Sequence, residues 1–188
     1  MSKGNSHLFN GTFGTSVSGL TQPLRSYSDR GIEIPENVRS MLEKLPKKGS
    51  FIKGSPKDFT IRDVSIMSKE TGVEFAKVTI GDESYLIRGD QFGATIPPKI
   101  KRLMRQKHSS FDFHSHPHDD DLVPSEDDIK AFKKVRRITH QKSSLIISPN
   151  GRKSSFNQNG IISVGTIRQT VDDDYKRALA KLFGGEIT

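Results

Sequence analysis

Residues 111–132 read FDFHSHPHDDDLVPSEDDIKAF, and three of the chain's six histidines stand at alternate positions within it: His114, His116 and His118. The first residues alternate as a strand does, and Pro117 ends the alternation. In a regular strand Asp112, His114 and His116 face one way, and Phe111 and Phe113 the other. Two imidazoles on one face can share a cation through neutral ring nitrogens. From Ser125 the period becomes helical: Ile129, Phe132, Val135 and Ile138 fall on one face of SEDDIKAFKKVRRI. Ser125 and Asp128 are spaced almost as a capping box, and acidic residues suit a first helical turn. Capping accounts for Ser125, Glu126, Asp127 and Asp128. It does not account for the histidines just before them. A structural zinc site takes four protein ligands, usually including cysteine, whereas a catalytic site takes three and keeps a position for water. Two histidines and a carboxylate suit the catalytic kind.

Outward from this stretch, helices and strands alternate. Upstream, IPENVRSMLEKL carries Pro35 for a first helical turn and Val38, Met41, Leu42 and Leu45 on one face. TIRDVSIMSKETG reads as a short helix with Ile61, Val64 and Met67 inward and Gly72 as a left-handed cap. VEFAKVTI and SYLIR read as strands joined at Gly81-Asp82-Glu83, and PPKIKRLMRQ as a short basic helix resting on Ile100, Leu103 and Met104. Downstream, SSLIISP is a buried strand and KSSFNQNGIISV a hairpin turning near Asn159-Gly160. A last helix is expected from Thr170, with Asp172 to Asp174 in its first turn and Gly184 at its end. The alternation predicts an α/β (α+β) fold, a mixed sheet flanked by helices. Residues 1–33 are rich in Ser, Gly, Thr and Asn without a period, so they read as a flexible tail or linker ahead of a domain at 34–188.

The chain has 188 residues, of which 32% are hydrophobic and 28% charged, with a formal charge of +8. The positive balance favours acidic partners, nucleic acid among them. The run KKVRRITHQK at 133–142 contributes to it, and reads as a solvated helix face. No cysteine is present, which excludes disulfides, thiolate metal sites and a cysteine nucleophile. No apolar run is long enough to span a membrane, and the N-terminus lacks the apolar segment of a signal peptide. A cytoplasmic protein is expected. His108 and His140 read as surface histidines.

One more residue bears on the metal question. In VEFAKVTI, Glu74 shares a face with Ala76, Val78 and Ile80. A carboxylate on an apolar face is costly to bury unless a charge meets it, and Glu74 otherwise reaches solvent at the strand end. With this glutamate, the pattern His-x-His-Pro…Pro-Ser-x-x-Asp resembles the JAMM/MPN metalloproteases, and especially their bacterial and phage-encoded branch. The resemblance covers roughly residues 60–165, and its specific part is HSHP…PSEDD. It implies a fold related to that of cytidine deaminases and a Zn2+ ion held by His114, His116 and Asp128. It also implies Glu74 as the base acting on water and Ser125 as an oxyanion donor. One residue more than usual separates His116 from Ser125, so either the loop bulges or Asp127 replaces Asp128. Glu70 and Glu83 are the other upstream glutamates, one at a helix end and one in a turn. His118 and Asp119 to Asp121 have no counterpart in the motif; shaping the substrate mouth and weak binding of a second ion are open to them, and they read first as solvated.

The activity so implied is cleavage of a peptide or isopeptide bond, with a protein or peptide substrate such as a ubiquitin-like conjugate. Two other roles fit the same resemblance: a non-catalytic MPN-like scaffold, and a DNA-associated protein of the RadC branch. The aromatic-spotted N-terminal stretch is similar to linkers in phage minor head proteins and bacterial toxin-like polypeptides, which implies a virion-associated or delivered setting.

Overall fold

The computed structural model describes Ser28, Gly31, residues 33–119 and residues 121–166. Along these run α1 (Glu36–Lys44), β1 (Phe51–Gly54), α2 (Ile61–Thr71), β2 (Phe75–Ile80), β3 (Glu83–Arg88) and α3 (Pro98–Met104). Then come β4 (Ser109–Ser115), α4 (Glu126–Thr139), β5 (Ser144–Ile147), β6 (Arg152–Asn157) and β7 (Gly160–Thr166). The tail expected through residue 33 falls almost wholly outside the described residues, and the helix expected from Thr170 lies outside them.

The local signals act as expected. Thr60 caps α2 by accepting from the Asp63 N–H, and Gly72 ends it in the left-handed conformation at φ 66°. β1 was not legible: four residues are too few to show a period, and the strand is defined by its pairing with β3. The seven strands form one open sheet in the order β1-β3-β2-β4-β5-β6-β7. Only β4 and β5 run parallel, and α4 supplies the crossover that a parallel pair requires. Helices pack on both faces of the sheet around its centre, whereas β7 at its edge is largely exposed among the described residues. Val38, Met41, Val64 and Met67 of α1 and α2 pack on Phe75, Leu86 and Phe113. On the other face, Ile100 and Met104 of α3 and Val135 of α4 pack on Ala76, Val78, Ile80, Ile87 and Phe111.

Phe111 and Phe113 thus lie on opposite faces, against the alternation expected of a regular strand. The cause is a β-bulge. β2 pairs Lys77 with Phe113 and Val78 with Phe111, so Asp112 is an extra residue without a partner. Asp112 falls on the face of Phe113, where it accepts a hydrogen bond from Thr79 at 2.6 Å and lies 4.0 Å from Lys77 Nζ. Asp112 therefore does not join His114 and His116, as a regular strand would have it. His114 instead shares its face with Phe111, their rings stacked at 5.8 Å. A side chain completes the ladder at the bulge. The Gln141 amide accepts from Phe111 N–H at 2.7 Å and donates to Phe111 C=O at 2.9 Å, as a neighbouring strand would. Replacing Gln141 by Leu removes the acceptor of the part-buried Phe111 N–H, while the Phe111 C=O keeps the Ser144 hydroxyl at 2.9 Å. The expected loss is about 1–3 kcal/mol in a urea titration; unchanged stability would mean that the amide is not needed there.

Candidate metal centre

The site forms where the C-terminal end of β4 meets the start of α4 and the start of β2. Glu74, His114 and His116 are 7%, 3% and 4% exposed. They bring ligand atoms within 4.8 Å of one another, a group that can hold a metal ion. The backbone of Glu74 is fixed by two hydrogen bonds, from its N–H to Asp90 O at 2.9 Å and from Gly89 N–H to its C=O at 2.8 Å. Gly89 has to be glycine, because a Cβ there would collide with the backbone of Gly93 and Ala94.

Asp128 lies against both histidines. Its Oδ1 is 3.2 Å from His114 Nε2 and its Oδ2 3.5 Å from His116 Nε2, and the two Nε2 atoms are 3.2 Å apart. Bonds of ~2.0–2.1 Å to one tetrahedral ion require donor separations of ~3.3–3.4 Å. The three groups are therefore spaced as ligands of one ion are. Asp127 points elsewhere: its side chain is 91% exposed and faces Lys130 Nζ at 3.3 Å. Ser125 is held to Asp128. Its N–H and its Oγ donate to Asp128 Oδ2 at 2.8 and 2.7 Å, and the same Oγ accepts from the Asp128 N–H at 3.1 Å. The capping box expected from the sequence thus fixes the carboxylate that meets the imidazoles. Glu70 and Glu83 are engaged elsewhere, the first with Ser28 and the second with Lys53 and Tyr85.

Asp121 was read as solvated, and its side chain is 48% exposed, but it also meets His116. His116 Nδ1 lies 3.2 Å from its Oδ2 and 3.1 Å from its backbone oxygen. A proton on Nδ1 leaves Nε2 as an acceptor facing His114 and Asp128. The sequence held a signal for this, since a ligating histidine needs an acceptor for its other nitrogen and the acidic loop after Pro117 offers several. The loop is tied down at further points: Asp119 lies 3.8 Å from Lys69, and Leu122 is buried, its C=O accepting from Ser154 Oγ at 2.6 Å. His118 is exposed, as expected.

Acceptors converge on this point, and something positive must stand among them. A proton on His116 can do so. Burial alone would lower its pKa, but hydrogen bonds to Asp121 and Asp128 raise it to about 10. Burial lowers the pKa of His114, whose Nδ1 is buried with no hydrogen-bond partner. Burial would also raise that of Asp128, but hydrogen bonds from His114 and His116 hold it well below the usual carboxylate range. Glu74 is pushed up to about 7, chiefly by burial, with His116 opposing and Asp128 and Asp121 assisting.

No known family matches the chain, nor does any curated protein or solved structure. The assignment of a metal centre therefore rests on the residues themselves.

Two outcomes follow. A ligating His116 has to give up the proton that it carries near neutral pH, so zinc binding is expected to release at least one proton. Calorimetry in buffers of different ionisation enthalpy measures this, and buffer-independent heats would contradict it. Asp121→Asn keeps the shape of the side chain and removes its charge. It is expected to weaken zinc binding about 10- to 100-fold with an unchanged circular dichroism spectrum.

Proposed function

We propose that the chain is a zinc-dependent hydrolase of peptide or isopeptide bonds, as its resemblance to the JAMM/MPN metalloproteases implies. His114, His116 and Asp128 hold the ion and Glu74 acts as general base. The observation that carries this reading is the convergence of His114, His116 and Asp128 at 3.2–3.5 Å, with a buried glutamate beside them. When bound, zinc supplies a Lewis acid that polarises a carbonyl and makes hydroxide available near neutral pH.

The chain's own groups do the rest. Glu74 has a pKa of about 7 in the metal-free protein, which suits a group that takes a proton from water and returns it to a leaving amine. Its burial keeps competing solvent away. Asp128 is oriented from two sides, by the cap of its own helix and by the imidazoles. Ser125 orients Asp128; to serve the oxyanion, as the resemblance implies, its hydroxyl proton would have to turn from Asp128 Oδ2 to the substrate. The role of Asp128 rather than Asp127 as third ligand is supported by their side chains, 17% and 91% exposed. The loop 117–124 takes up the extra residue by anchoring at Asp119, Asp121 and Leu122.

Metal analysis combined with a peptide-hydrolysis assay tests the assignment. His114→Ala and Asp128→Ala are expected to lose stoichiometric zinc, while Asp127→Ala keeps it. Glu74→Gln is expected to keep zinc and lose about 10²- to 10⁴-fold in hydrolysis, the range of a missing general base. Full zinc in His114→Ala, or full hydrolysis in Glu74→Gln, would sink the reading.

A further inference from the structure

A groove runs along α4 from beside Asp128. Its first part, of about 390 Å³, lies between the 92–96 loop and α4 and is lined at one end by Phe111 and Asp128. Its second part, of about 370 Å³, continues between α3 and α4. The two parts share Ile96, Lys101, Lys134 and Val135. The floor of the second part is apolar, formed by Ile96, Met104, Val135 and Ile138. Its rims carry Lys101 and Arg105 on the α3 side and Lys134 and Arg137 on the α4 side. None of these four cations has an ion-pair partner among the described residues, whereas Lys130, nearer the site, is paired with Glu126 and Asp127. Positive charge without an ion-pair partner thus lines the stretch shared by the two parts, at Lys101 and Lys134, and the second part beyond it, at Arg105 and Arg137.

We infer that this groove binds an extended acidic polypeptide, the substrate segment on one side of the bond cleaved; this rests on the hydrolase reading above. Side chains of an extended chain alternate, so aliphatic ones can enter the floor while acidic ones meet the rims. Spacing along α4 fixes where those acidic residues fall. Lys134 and Arg137 lie six and nine residues beyond Asp128, or ~9 and ~13 Å at the helical rise. An extended chain advances ~3.3 Å per residue, so its acidic side chains would stand roughly three to four residues from the reacting carbonyl. A nucleic acid would match the charge of the rims. The second part favours a peptide, because its floor holds Ile96, Met104, Val135 and Ile138 and no aromatic ring on which a base could stack; the rings that line the groove, Phe92 and Phe111, belong to the first part.

Fluorescence anisotropy tests the inference. The probes are two labelled peptides of equal length, Leu alternating with Asp in one and with Lys in the other, and a labelled single-stranded oligonucleotide. They are titrated with zinc-loaded Glu74→Gln, which does not consume them, and with the same chain carrying Lys101→Glu and Lys134→Glu. The Leu-Asp peptide is expected to bind at least ~10-fold more tightly than the Leu-Lys peptide and the oligonucleotide, and charge reversal to abolish most of that preference. Equal affinities for the two peptides, or affinity unmoved by charge reversal, would overturn the inference. Preference for the oligonucleotide would overturn it too, making the groove a nucleic-acid surface. Zinc content, measured on each sample, separates the two readings: a chain without zinc fails as a metallohydrolase while its groove is still tested by the peptides.

Discussion

The contact of Asp128 with two buried imidazoles is the constraint on which the rest of the site depends. It joins the first turn of α4 to the last residues of β4, where two histidines and Glu74 lie almost out of water. Four ionisable groups so close are costly to bury unless their charges balance. The balance is found locally: Asp121 and Asp128 hold a proton on His116, and the α4 cap supplies Asp128 with donors from Ser125. A divalent ion brings more positive charge to the same point, so the metal-free arrangement is already close to what an ion would require.

The surrounding fold serves this contact. The bulge at Asp112 turns His114 onto the face of Phe111, and the Phe156 ring meets His114 at 5.7 Å from the neighbouring part of the sheet. Bulges next to sites commonly re-aim a side chain in this way. Asp112 itself is carried to the opposite face, near Lys77, so its negative charge is not added to the site. The loop after Pro117 is held by a pair with Lys69, by His116 and by the core around Leu122. Gln141 and the Gly89 crossing fix the two flanks.

Much of this was legible in the sequence because it is written in local patterns. The alternation of FDFHSH, the Ser125–Asp128 spacing, the caps at Gly72 and Ser125 and the apolar stripe of α4 each act over a few residues, where intrinsic preferences decide. What was not legible depends on partners distant in sequence. β1 exists because β3 offers it an edge. The bulge is set by how β2 pairs with β4, and a strict period of two therefore misplaced Asp112. Which of Asp127 and Asp128 faces the histidines depends on a loop whose anchors, Lys69 and Ser154, lie far away in the chain. Asp121 was passed over because an acidic run beside a turn is usually solvated, and only the orientation of His116 gives it a partner.

The central proposal is that one ion is held by His114, His116 and Asp128, with Glu74 beside it as a base and not as a ligand. Anomalous diffraction at the zinc edge, from crystals grown with one equivalent of zinc, tests this most directly. The account predicts one peak, ~2.0–2.2 Å from both Nε2 atoms and from an Asp128 oxygen, with Glu74 outside the coordination shell. A peak ligated by Glu74 with Asp128 turned away, or no peak at the two histidines, would contradict it.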